Sequence, residues 1–103
     1  MRLKRSKFVS NAPYGKDIKL RRITEPEFLI YAKKELGLMF AEAVTEKSPE
    51  RFADIVELVN NVCEKLNIDF YDCMRIRTEK RFKEGKYEDV LAQPLNAESK
   101  EDT

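Results

Sequence analysis

A chain of 103 residues with 42% hydrophobic side chains suits one domain with a modest core, because a fold of this size buries only about 60–65% of its unfolded surface. Its 38% charged content demands a largely solvated or ion-paired surface, and its net charge of +1 leaves no global field to gather nucleic acid. The absence of histidine, with only Cys63 and Cys73 and no CxxC pair, argues against a zinc site and excludes a Ser-His or Cys-His triad.

The charge is uneven along the chain. Arg2, Lys4, Arg5 and Lys7 open it without an acid between them, and Lys19, Arg21 and Arg22 form a second basic cluster. Residues 1–23 read as an extended arm. Ile18 and Leu20 alternate with Lys19 and Arg21, and Asn11-Ala-Pro-Tyr-Gly15 is a turn, so a short hairpin or an arm laid on helices is expected.

The first helix starts at Thr24-Glu25-Pro26-Glu27, a capping box with proline in the first turn. Phe28, Ala32, Leu36, Met39 and Ala43 recur at spacings of four and three, with Leu29 and Phe40 widening the stripe. Gly37 costs up to about 1 kcal/mol relative to alanine there, which points to close packing of another backbone. A second helix starts at Ser48-Pro49-Glu50, an N-cap followed by proline at the first helical position. Phe52, Ile55, Val59, Val62 and Leu66 follow at 3-4-3-4 spacing, with Val56, Leu58 and Cys63 broadening the arc. The short connection predicts that these two helices run antiparallel.

Asn67-Ile-Asp69 is a break, with Asp69 as an N-cap. A third helix is expected from Asp69 to about Phe82, burying Phe70, Cys73, Met74 and Ile76 and ending at Gly85 in the C-cap manner. Val90 and Leu91 could anchor a short last segment, and residues 93–103 read as a polar, disordered tail. Both cysteines read as small core residues of a reducing compartment. No apolar run is long enough to span a membrane, and the basic N-terminus lacks the apolar stretch of a signal peptide, so a cytoplasmic location is expected. The expected fold is all-α: a compact bundle of three to four helices over residues 1–92, built on a central antiparallel hairpin, with an extended N-terminal arm. A helical domain with a thin core is expected to complete it as a homodimer or higher homo-oligomer.

Several segments, in order, resemble the all-α nucleotide pyrophosphohydrolase superfamily, the MazG-like and phosphoribosyl-ATP pyrophosphohydrolase-like proteins. Leu3-Lys-Arg-Ser-Lys7 resembles the group's N-terminal LVRDK. Lys19 to Phe28 resembles its basic extended segment and helix start, and Phe52-Ala-Asp-Ile-Val-Glu57 resembles the LADVLE core of its second helix. Leu66-Asn-Ile-Asp69, Arg77-Thr-Glu-Lys-Arg81, Phe82 and Gly85 resemble its LGI and KxxRGGF ending. The resemblance covers roughly residues 1–91 and implies a MazG-like bundle.

The resemblance also implies a chemistry: hydrolysis of nucleotides between the α and β phosphates, with glutamates of EExxE and ExxD motifs holding Mg²⁺. Hard cations take carboxylate oxygens, and the metal activates water while neutralising phosphate charge. Here the motifs are altered. One frame of EExxE falls on Glu35, Leu36 and Met39, the other on Leu38, Met39 and Glu42, and the first better keeps the distance to the second helix. ExxD falls on Arg51 and Asp54, and the aspartate of LVRDK on Ser6. Glu50, Asp54 and Glu57 share a helix face opposite Ile55, Val59 and Leu66, which the N-terminal arm or a second subunit would have to cover. Glu35 and Glu42 lie at i, i+7 on the edge of the first helix's apolar face.

Three functions follow. The first is a MazG-like pyrophosphohydrolase with a variant site, in which Glu35, Asp54 and Glu57 hold Mg²⁺ and Arg5, Lys7 and Arg51 contact nucleotide phosphates. The second is a catalytically degenerate member acting as a dimeric binding or regulatory protein. The third is a nucleic-acid-associated module using the basic arm.

Overall fold

The computed structural model describes residues 2–5, 21–88 and 92–95. Among them the chain is all-helical, with three α-helices and no strand: α1 (Glu25–Glu46), α2 (Pro49–Lys65) and α3 (Phe70–Glu84). Two compact units divide the chain, Met1–Phe70 and Tyr71–Thr103. No helix of the described residues is long and apolar enough to cross a membrane.

The helix boundaries follow from their caps. The Thr24 hydroxyl accepts from the Glu27 backbone N–H at 3.2 Å, and the Glu27 carboxylate accepts from the Thr24 backbone N–H at 2.9 Å. That donor, and the Arg21 charge near it, hold the Glu27 carboxyl below its ordinary value. α1 ends at Lys47, which takes a left-handed conformation (φ 52°, ψ 43°) and donates its N–H to the Ala43 carbonyl. Ser48 then accepts from the Arg51 N–H at 3.2 Å and caps α2. The turn between the helices is thus two residues, one ending a helix and the next starting another. α2 closes with a Schellman motif. Asn67 stands in the left-handed region (φ 59°), the Ile68 N–H reaches the Cys63 carbonyl at 2.8 Å, and the Asn67 N–H reaches Glu64 at 3.2 Å.

α1 and α2 form the expected antiparallel hairpin. Phe40 and Phe52 meet edge to face near the turn, with ring centroids 6.3 Å apart. At the other end Leu29, Ala32, Lys33 and Leu36 of α1 line an open apolar groove of about 270 Å³ with Val62 and Leu66, and the Lys65 ammonium lies 5.8 Å from the Phe28 ring centre. The helices meet on Ala32, Ala43 and Leu58, which are buried. Phe28, Leu36, Met39, Ile55 and Val62 are half-buried. The expected α2 stripe is therefore displaced. Phe52, Val59 and Leu66 are exposed, and Leu58 on the neighbouring row makes the seam. An apolar arc this wide exceeds what one facing helix can cover.

α3 begins and ends close to the expected positions, and the Gly85 N–H (φ 88°) donates to the Arg81 carbonyl at 3.0 Å. Its expected burial does not occur. Phe70, Cys73 and Met74 are half-buried and Ile76 is exposed. The stripe that begins at Phe70 continues through Arg77 and Arg81, so charge interrupts it after one turn. Along its solvated surface Arg75 pairs with Asp72 at 3.7 Å and Glu79 at 3.2 Å. The turn and strand pattern expected over residues 11–20, the short segment at Val90 and Leu91, and most of the expected tail lie outside the described residues. Residues 92–95 form no regular element.

Candidate functional site

One flank of the hairpin carries nearly every residue to which the sequence assigned chemistry. At about 100° per residue, Glu35 and Glu42 fall on one side of the buried row of α1. Asp54 falls on the same side of the hairpin from α2, and Arg51, beside the Leu58 row, reaches that side by donating to Glu42 and Glu46. Arg2, Leu3 and Arg5 of the N-terminal segment reach this flank through hydrogen bonds to Glu35, Glu42 and Asp54.

Glu35 is 5% exposed, the one buried charged residue among those described. Both its carboxylate oxygens accept from Arg2 Nε, at 2.9 and 3.1 Å, and Oε1 also accepts from the Leu3 backbone N–H at 3.3 Å. The two other nitrogens of the same guanidinium donate to Glu42, each at 3.2 Å. One arginine thus spans two carboxylates two helical turns apart, using the planar fork that lysine lacks. Glu35 raises the Arg2 guanidinium above its ordinary value, with Glu42 adding to it. Arg2 in turn holds the Glu42 carboxyl below the usual carboxylate range, with Arg51 and Lys4 contributing.

The network continues across the hairpin. Arg51 donates to Glu46 at 3.1 Å and Glu42 at 3.4 Å. Arg5 donates to Asp54 at 2.6 Å, which raises the Arg5 guanidinium above its ordinary value. Glu57 takes a hydrogen bond from Asn61, one turn along its own helix, at 3.0 Å.

Five of the six residues read as site residues are described, and each is engaged within the chain. Glu35 belongs to Arg2 and Asp54 to Arg5, while Glu57 lies along α2 with Asn61. Arg5 and Arg51, read as phosphate contacts, each hold an acid of this chain, and Lys7 lies outside the described residues. Among the described residues no group of three or more His, Cys, Asp or Glu side chains is arranged to hold a metal ion. A Mg²⁺ ion entering this seam would meet carboxylate oxygens already accepting from guanidinium groups, and three arginines that repel it. The donor set as arranged does not fit the cation.

Two residues central to the seam were not among the assigned six. Arg2 was visible only as one of four cations at the N-terminus, with no signal that its fork would span an i, i+7 pair. Glu42 was visible at that spacing. Chain distance favoured the frame through Glu35, but across the hairpin it is Glu42 that meets Arg51. Comparison of the chain with family models, with curated proteins and with solved structures finds no match.

Proposed function

We propose that this chain is a catalytically degenerate MazG-like helical protein, which binds and assembles as a homodimer and does not hydrolyse nucleotides. The single observation that carries this reading is the bridging of Glu35 and Glu42 by Arg2. The acids that a Mg²⁺-dependent hydrolase of this kind needs are here committed to a cis arginine. The substitutions in the motifs support it further. Leu38 and Met39 offer no ligand for a hard cation, and Arg51, at the glutamate position of ExxD, pairs with Glu42 and Glu46. The acids persist because they fasten the N-terminal segment to the hairpin.

The same geometry weighs against the nucleic-acid reading. Arg2 and Arg5 are two of the four cations in residues 1–7, and both turn inward onto helix carboxylates. Counterion release requires cations that reach phosphates.

The test is pyrophosphate release from a panel of nucleoside triphosphates with Mg²⁺ or Mn²⁺, comparing the wild type with Asp54→Ala. The expected result is no turnover above that variant. Metal-dependent release that disappears in Asp54→Ala would overturn the proposal and restore the hydrolase with Glu35, Asp54 and Glu57 as its ligands.

A further inference from the structure

The arginines that turn inward belong to the N-terminal segment and to α2. α3 carries two that do not, and its charges are sorted by face. At about 100° per residue, Tyr71, Arg77, Thr78, Arg81 and Phe82 share one side of the helix. Asp72 and Glu79 fall opposite, with Lys83 among them, and Glu84 stands at one edge by the last turn. Arg75 stands at the other edge and turns to the acids, pairing with Asp72 and Glu79. Arg77 and Arg81 make no ion pair or side-chain hydrogen bond among the described residues. The two rings on their side are open to water, Phe82 at 91% and Tyr71 at 81%.

We infer that this face of α3 is a contact surface for single-stranded nucleic acid, with Arg77 and Arg81 on neighbouring phosphates and Phe82 and Tyr71 stacking on unpaired bases. Guanidinium groups pair with phosphate oxygens through a planar fork, and exposed rings accept the faces of bases of any sequence. A duplex keeps those faces stacked inside, so the rings select single strands. Tyr71 and Phe82 are eleven residues apart, about 16 Å along the axis, which one nucleotide does not span. An anionic membrane fits less well. Ile76 lies on the side of α3 away from the rings, so the helix has no continuous apolar face to insert.

The helix itself gains from such a ligand. Arg77 and Arg81 are one turn apart, and like charges at that spacing destabilise a helix unless an anion lies between them. Of the three helices α3 alone has no buried residue, and a helix of 15 residues without one is marginal in water. A phosphate that answers both arginines adds what the interior does not supply. The net charge of +1 provides no long-range steering, so binding rests on close contact and is expected to be weak, in the micromolar range.

The test is fluorescence anisotropy of a labelled oligo-dT strand of about 12 nucleotides, titrated with the full chain at low salt. Saturable binding is expected, with log affinity falling against log salt at a slope of about −1.4, the value for two phosphates of a single strand. Arg77→Gln combined with Arg81→Gln should weaken binding about tenfold or more and flatten that slope. Phe82→Ala should weaken it about tenfold at an unchanged slope. Phe82→Leu, which keeps an apolar side chain and loses the ring, should do the same, and Lys33→Gln on the hairpin should change neither quantity. Absence of binding at low salt would overturn the inference, as would binding that survives both the arginine and the ring changes. So would equal affinity for a duplex of the same length, for ATP, or for phosphatidylserine vesicles.

Discussion

The two flanks of the α1–α2 hairpin are built by opposite rules. On one, charges are abundant and almost all are answered within the chain: Arg2 by Glu35 and Glu42, Arg51 by Glu42 and Glu46, Arg5 by Asp54. On the other, charges are scarce and the apolar surface is left open. A flank whose groups are already satisfied has little left to offer a metal or phosphate. The other flank offers apolar surface instead, whose removal from water would lower free energy. Acidic residues at motif positions point to chemistry only when no cation of the same chain occupies them.

The largest effect that separates the flanks is expected at Arg2. Arg2→Ala leaves Glu35 buried without its cationic partner. Full burial of both groups would make the loss about 3–5 kcal/mol, but the Arg2 side chain is 39% exposed, which brings the expected loss to about 1–3 kcal/mol. The double variant Arg2→Ala with Glu35→Leu should recover most of it, because an apolar side chain needs no partner there. Denaturant melts measure both. A loss under about 0.5 kcal/mol in the single variant would mean that Arg2 does not hold the buried carboxylate. Mass in solution should not change in either variant, since neither touches the apolar flank.

A smaller effect is expected from pH. Hydrogen bonding from Arg2 lowers the Glu42 carboxyl below its ordinary value of 4.5. A carboxylate with a depressed folded value contributes stability that is fully present above the unfolded value. That contribution is lost as pH falls through the folded value. Stability should thus be flat in this respect above about pH 5 and decline below about 4.5, and Glu42→Gln should flatten the acid limb. An unchanged acid limb in Glu42→Gln would place the acid-sensitive group elsewhere.

Much of the scaffold was legible in the sequence because caps are local. Thr24 with Glu27, Ser48 with Pro49, and Asn67 and Gly85 at helix ends each act within a few residues, and all stand where their patterns put them. The face of α2 was less legible. Its apolar arc covers both the Leu58 row and the Phe52–Val59 row, and periodicity alone does not tell which one meets α1. The seam was legible in its acids and illegible in its cations. Glu35 and Asp54 stood out by spacing, but the pairing of Arg2 with Glu35 spans 33 residues, and no local rule links them. Arg51 could be read as a replaced glutamate, though not as the partner of Glu42. The stripe of α3 misled because three apolar residues in one turn imply burial that Arg77 and Arg81 then interrupt.

The central claim is that the hairpin carboxylates answer to arginines and not to a metal, and titration with Mn²⁺ followed by NMR tests it most directly. The account predicts no saturable paramagnetic broadening localised at Glu35, Glu42 and Asp54 up to millimolar Mn²⁺, and no loss of the Arg2 side-chain signals. Saturable broadening centred on those three residues, with release of Arg2 and Arg5, would contradict it.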